Sequence, residues 1–355
     1  MFRKIDWWLI GALTFLAGAS LVSLLSTKPN LFKYQLLWYG LSFPIIFLAA
    51  KINWRWLTTQ NWFFLSFYWL TVVLLVVTLF AGRSIRGAQS WLVIEPVRFQ
   101  SSELAKIALI LLFASFFSRR HLEVSTIKNI AASFFYFLLP AALVMRQPDL
   151  GTVMIFLGIW FGFLIVSGLS WRKILIGFLI LILAFSFLWL TFLKSYQKER
   201  ISGFIFPERN PLGINYNVIQ SKIAIGSAGL FGKGFGQGTQ VQLGFLPEAQ
   251  ADFIFSAFTE EWGLVGGFAL IAAFLLIIFR IIKTGVKSES NCAKFICLGS
   301  VIVLASQFFF NVGSSLGLSP VVGTTFPFFS YGGSSLLTSA LLIGIIQNIA
   351  IESSF

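Results

Sequence analysis

Apolar residues in this chain come in long, nearly unbroken runs, separated by short polar turns rich in Lys and Arg. A helix needs roughly 20 mostly apolar residues to cross hydrocarbon, and reading for such runs predicts about ten transmembrane helices. They fall near Trp7–Ser26, Tyr34–Ala50, Asn61–Phe80, Phe99–Phe117, Ile130–Met145, Thr152–Gly168, Ile174–Leu193, Phe253–Ile282, Phe295–Val312 and Phe328–Ile351. The pattern breaks once, over residues 194–250, between the seventh and eighth runs. Within that break Ile214, Val218, Ile219, Ile223 and Ile225 recur at helical spacing, which predicts an amphipathic helix at the membrane interface over Asn215–Gly229. Five glycines in the next ten residues, Gly229–Gly238, suit either a flexible loop or a backbone that approaches a ligand closely. No strand–turn–helix context makes that stretch a nucleotide-binding loop.

Composition supports the same fold. Residues are 57% hydrophobic and 11% charged, with mean hydropathy +0.86, more apolar side chain than a soluble domain of this size can bury. The expected class is an all-α polytopic membrane protein, a single transmembrane domain over residues 1–355 with a large extracytoplasmic segment at 194–250. The first run has no small-residue cleavage site after it and reads as a span that stays. Cys292 and Cys297 have neither the number nor the spacing of a disulfide framework or metal site.

The net charge of +13 would suggest nucleic acid in a soluble protein. Here the basic residues lie between apolar runs, so membrane lipids and an anionic substrate are the expected partners, not nucleic acid. Arg and Lys in the short loops favour the side that holds Arg3, Lys51, Arg119, Arg172, Arg280 and Lys287, which places both termini in the cytoplasm. The 194–250 segment then lies outside, yet it carries Lys194, Lys198, Arg200, Arg209, Lys222 and Lys233. Cations placed against the positive-inside tendency point to an anionic ligand on that face.

Ionisable residues in or beside spans are the candidates for chemistry, because burying them is costly. Glu103 and Lys106 share a helix face, as a self-neutralising packing pair or as the polar floor of a cavity. Asp149 stands at the mouth of the sixth span, where it can cap the helix or act on a substrate. Asp252 lies where the long segment turns into the eighth span, with Glu260 and Glu261 two turns further in. A carboxylate there, ringed by Arg and Lys, suits general-base chemistry on a phosphate-bearing substrate. The last interruption, Gly323–Ser335, offers hydroxyls and glycines, including Ser330 and Tyr331, at a span entrance. Irregular backbone at that depth favours a cavity wall over a lipid-facing turn. His121, beside Arg119 and Arg120, reads as a surface residue.

Several motifs resemble the SEDS family (shape, elongation, division, sporulation) over nearly the whole chain. They are Arg86-Gly-Ala-Gln-Ser-Trp91, Phe99-Gln-Ser-Ser-Glu-Leu-Ala-Lys106, Gln147-Pro-Asp-Leu-Gly-Thr152, Gln220-Ser-Lys-Ile-Ala-Ile-Gly226 and Leu246-Pro-Glu-Ala-Gln-Ala-Asp-Phe-Ile-Phe255. Asn311, Gly317-Leu318, Pro320 and Ser330-Tyr-Gly-Gly-Ser-Ser335 complete the set. Gly236-Gln-Gly-Thr-Gln240 looks more like the RodA-type elongation branch than the FtsW-type division branch. Ser101 departs from a usual proline, Ala228 from a glycine and Thr324 from an aliphatic residue, none of them at an acid.

The resemblance implies a peptidoglycan glycosyltransferase that polymerises lipid II at the outer face of the bacterial cytoplasmic membrane. It implies Asp252 as the base, with Arg200, Lys222 and Lys233 against the leaving diphosphate. Glu103 and Lys106 would shape the polar cavity, with Asp149, Ser330 and Tyr331 as further substrate contacts. A class B penicillin-binding protein would be the partner. A magnesium or manganese ion would suit the diphosphate, yet no carboxylate cluster demands one. The competing reading is a flippase for the same lipid, which would need a path open alternately to both sides. A scaffold without chemistry would leave Asp252 unexplained.

Overall fold

The computed structural model describes residues 5–52, 60–85, 88–94, 97–120, 126–191, 195–206, 208, 213 and 215–353. Arg86, His121, Lys194, Arg209 and Ile214 lie outside the described residues. Every predicted run is a helix: α1 (Trp7–Thr27), α2 (Pro29–Ala49), α3 (Asn61–Ala81), α4 (Ser101–Arg119), α5 (Ile127–Arg146), α6 (Leu150–Val166), α7 (Trp171–Thr191), α11 (Ile254–Lys287), α12 (Asn291–Leu316) and α13 (Gly333–Glu352). The long segment between α7 and α11 adds α8 (Ser195–Ile205), α9 (Tyr216–Gly226) and α10 (Thr239–Gln242). Eight of these helices are long and apolar enough to cross a membrane by themselves. The fold is that of an all-α multi-pass membrane protein.

Several helices run a few residues past the predicted bounds, and at two span starts the chain is not helical at all. Phe99 and Gln100 are not the start of α4. They belong to β3 (Val97–Gln100), which pairs antiparallel with β2 (Ala88–Ile94), itself paired with β1 (Arg83–Ile85). Ile94 pairs with Val97 and Trp91 with Gln100, so a small hairpin sits over the entrance to α4. Likewise Phe328–Gly332 form turns, not the first turn of α13, and Phe328 takes a positive φ of 62°.

Without water between helices, association in lipid rests on close packing and interhelical bonds. The most enclosed helix is α4, with nearly every side chain from Ser101 to Ala114 buried. It packs against α3, α6 and α12, and α13 packs against α2. Stacked rings fill the gaps: Phe163 on Phe295 at 5.3 Å and Phe274 on Phe308 at 4.3 Å between centroids. By contrast α7 exposes Leu175, Ile176, Phe178, Leu179 and Leu183, a lipid-facing helix. Cys292 and Cys297 are buried and unpaired.

At one end of the bundle the N-terminal segment is tied to two helices. Asp6 caps α1 by accepting from the Leu9 N–H at 3.2 Å, and its Oδ2 pairs with Arg280 Nε of α11 at 2.5 Å. The Asp6 N–H donates to Gln347 Oε1 of α13 at 3.0 Å. The functional candidates gather at the other end.

There α11 carries a break. It runs 34 residues, about 51 Å at 1.5 Å per residue, far longer than the ~30 Å hydrocarbon core. Gly263, at φ 74° and ψ −178°, divides it. The glycine-rich loop closes on that break. The N–H groups of Leu264 and Val265 donate to the carbonyls of Gly229 and Leu230 at 3.0 and 3.1 Å, and those of Lys233 and Gly234 to the carbonyls of Glu260 and Glu261 at 3.0 Å. A Cβ on Gly232 would meet the Glu261 carbonyl oxygen at 2.1 Å, and one on Gly263 the Leu230 carbonyl oxygen at 2.2 Å. Two backbones cross where no side chain fits. The glycines serve the protein's own backbone there.

The amphipathic helix also packs differently from its apolar pattern. Ser221 and Ala224 of α9 are buried and Ile223 is exposed. Ser221 Oγ donates to the Ser315 carbonyl at 2.7 Å and lies 2.5 Å from Ser256 Oγ. A small, polar face docks the helix onto α11 and α12.

Candidate active site

Asp252 lies in a turn that ends where α11 begins. The turn is closed by its own backbone, with the Ala251 and Phe253 N–H groups donating to the Glu248 carbonyl at 3.0 and 3.3 Å. It is then gripped from two sides. The Asn311 side-chain amide of α12 donates to the carbonyls of Ala251 (3.3 Å), Asp252 (3.2 Å) and Thr324 (2.9 Å). Ser330 Oγ donates to the Ala251 carbonyl at 2.8 Å, and the Tyr331 N–H donates to the Gln250 carbonyl at 3.0 Å. Below, Phe253 packs with Leu246, Ala249 and Ala257. Asp252 is partly exposed above this base.

The loop that grips this turn also reaches a second polar layer. Ser330 accepts from the Phe326 N–H at 2.9 Å, and Thr325 and Ser335 hydroxyls meet at 2.8 Å. Ser334 Oγ donates to the Arg98 carbonyl at 2.9 Å and accepts from the Gln100 N–H at 3.2 Å. Further in, Lys106 Nζ pairs with Glu103 Oε2 at 2.7 Å, and Thr338 Oγ1 donates to the same oxygen at 3.2 Å. Glu103 and Lys106 are therefore a buried ion pair and line this layer as well.

Asp149 caps α6 and belongs to the layer at the same time. Its carboxylate accepts from the Thr152 N–H (3.0 Å), the Thr152 hydroxyl (2.7 Å) and Gln100 Nε2 (3.1 Å). Burial holds its carboxyl above the ordinary range, and the bonds from Thr152 and the charge of Lys106 offset only part of that rise. Asp149, Glu103 and Lys106 thus share one electrostatic neighbourhood. Burial also raises the Tyr331 phenol, offset by the charge of Arg98.

The three basic residues separate. Arg200 and Lys222 line one cavity of about 190 Å³. Lys233 is elsewhere: its Nζ pairs with Glu260 Oε1 at 2.7 Å and donates to Thr239 Oγ1 at 2.8 Å. Glu260 is fully buried and also accepts from the Gln240 N–H at 3.0 Å. Its neighbour Glu261 accepts from Ser26 of α1. Among the described residues no three of His, Cys, Asp and Glu gather as a metal site.

Asn311 is the residue whose role the sequence understates. A carboxamide within an apolar helix is itself a signal. Nothing in the primary structure indicates which carbonyls it serves.

A multi-pass helical bundle whose buried polar layer and gripped carboxylate turn share one end defines a membrane-embedded site class. The chain belongs to the FtsW/RodA/SpoVE family, whose model, described as "Cell cycle protein", matches residues 2–354. It is 40% identical over 282 residues to "Peptidoglycan glycosyltransferase MrdB" of Escherichia coli K12, covering 79% of this chain and 76% of that one. A solved chain from "Structural coordination of polymerization and crosslinking by a peptidoglycan synthase complex" superposes with TM-score 0.84 at 32% identity, covering 98% of both. The crystal structure of Thermus thermophilus "Rod shape determining protein RodA" does so with TM-score 0.73 at 28% identity, covering 98% of this chain and 96% of that one.

Proposed function

We propose that this chain is a peptidoglycan glycosyltransferase that polymerises lipid II. The observation that carries the reading is Asp252, presented on a turn gripped by Asn311 and Ser330 beside the enclosed Glu103–Lys106 layer. In the reaction the 4-hydroxyl oxygen of the acceptor disaccharide bonds to the anomeric carbon of the donor. The anomeric carbon–oxygen bond breaks, and the donor's undecaprenyl diphosphate leaves with the electron pair. Asp252 takes the hydroxyl proton as general base. Lys106, held by Glu103, supplies a fixed positive charge in a low-dielectric layer.

The site faces outward in this reading. The ends joined by Asp6, Arg280 and Gln347 lie in the cytoplasm, as the short-loop bias of Lys and Arg supports. A class B penicillin-binding protein is the proposed partner, in keeping with the solved peptidoglycan synthase complex that this fold matches. A magnesium or manganese ion would suit the substrate diphosphate.

Purified protein, with and without that partner, is given labelled lipid II and its glycan strands are resolved by length. Wild type should make polymer, and Asp252→Asn should make at least ~10²-fold less. Wild-type rates from Asp252→Asn would remove the assigned base. Lipid movement across vesicles without polymer would favour a flippase.

A further inference from the structure

The cavity shared by Arg200 and Lys222 brings two cationic side chains together. Asn215, Asn217 and Ser319 add polar groups to its wall, and no carboxylate is among the described residues that line it. Arg200 Nη1 donates to the Val321 carbonyl at 3.4 Å, which sets one side. Lys222 lies across Gly317, the left-handed residue (φ 73°) that ends α12, where a Cβ would come within 2.3 Å of Lys222 Cε and 2.5 Å of Nζ. A side chain at that position would push the ammonium aside. The last carbonyls of α12 favour a cation there without neutralising it.

Its position relative to Asp252 narrows the ligand. Val218 and Val321 line the cavity and also pack on the cluster that holds Phe253, so an apolar layer stands between the cations and the Asp252 turn. Along α12, Gly317 is six residues beyond Asn311, about 9 Å at the helical rise. A leaving diphosphate is bonded to the reacting carbon and must lie beside the hydroxyl that the base deprotonates. The acceptor's own diphosphate stays attached, one disaccharide away from that hydroxyl.

We propose that the Arg200–Lys222 cavity holds the diphosphate of the acceptor molecule, and not the leaving group. This rests on the glycosyltransferase reading and reassigns two of its cations. The acceptor is positioned through its phosphates, so that its hydroxyl reaches Asp252. An anionic phospholipid headgroup offers the same phosphate chemistry, and the test separates the two.

The full chain in nanodiscs is supplied with two lipid II analogues. One has its 4-hydroxyl capped and acts only as donor; the other has a methylene phosphonate at the anomeric carbon and acts only as acceptor. Each is titrated against a saturating amount of the other, and the single coupled product is counted. Arg200→Gln/Lys222→Gln should raise the half-saturating acceptor concentration about tenfold or more and leave the donor value unchanged. An equal or larger shift for the donor overturns the proposal, as does no shift in either. A shift present only in nanodiscs containing anionic phospholipid assigns the cavity to the bilayer and also overturns it. Equilibrium binding of the acceptor-only analogue needs no turnover: weaker binding by the double variant supports the cavity even where coupling fails, and unchanged binding counts against it. Failure of wild type to couple at all would strike the glycosyltransferase reading alone.

Discussion

The Asn311 side-chain amide donates to the Asp252 carbonyl at 3.2 Å, so a residue inside α12 sets the backbone that presents the site acid. The same amide reaches Thr324, which ties the turn before α11 to the loop before α13. One side chain thereby joins three segments.

Asn311→Ala should slow polymerisation about 10–100-fold, since misplacing a catalytic group by ~1 Å has effects of that size. The carbonyls of Asp252 and Thr324 lose this donor, a loss of about 1–3 kcal/mol for each group left unpaired in a dry site. Steady-state rates and thermal unfolding of the purified variant check both. A variant with the wild-type rate would show that the grip is irrelevant to catalysis.

The Glu103–Lys106 pair is buried in α4. Removing one partner strands the other, which costs about 3–5 kcal/mol in comparable buried pairs. Glu103→Gln and Lys106→Met should each lower the unfolding temperature markedly. The double variant should regain much of the stability and remain inactive. Recovery of polymer synthesis in the double variant would reduce the pair to a packing element.

Lys233 neutralises Glu260, which has no exposed surface. Lys233→Ala should therefore destabilise the junction of the glycine loop with α11, and adding Glu260→Gln should restore part of the loss. The measurement is unfolding temperature beside apparent KM. If Lys233→Ala leaves stability intact and raises KM alone, the lysine meets substrate as the family resemblance first implied.

Gly263→Ala places a methyl against the Leu230 carbonyl at a positive φ, and Gly232→Ala does the same against Glu261. Each should cost more than ~1 kcal/mol in strain and expose the loop around Leu230–Gly234. Limited proteolysis reads this directly. Unchanged cleavage in both variants would mean that the crossing of the two backbones is loose.

Much of the fold is legible because lipid imposes a simple rule: a spanning segment must satisfy its backbone internally, and long apolar runs can do so only as helices. The hairpin was not legible at this level. Ala88–Arg98 lie outside any predicted span and only Phe99 and Gln100 were absorbed into the next one, although β-branched Val93, Ile94 and Val97 were an available cue to strands. The glycine run was ambiguous for a related reason. Glycine signals close approach and does not name the approaching atom, here the backbone of Glu261 and Leu230.

The sequence alone determined the apolar helical runs and their order, the long segment at 194–250, the family resemblance, and the short list of ionisable residues beside the membrane. Hydropathy and charge act locally along the chain, so they can be read from it. Tertiary structure decided which of those residues come together: Asp149 with Gln100 and the charge of Lys106, Lys233 with Glu260, and Arg200 with Lys222 around one cavity. Those pairings join segments that lie far apart in the chain. They depend on how α4 packs on α6, how the glycine loop closes on α11 and how α8 and α9 share one cavity, and packing geometry sets that.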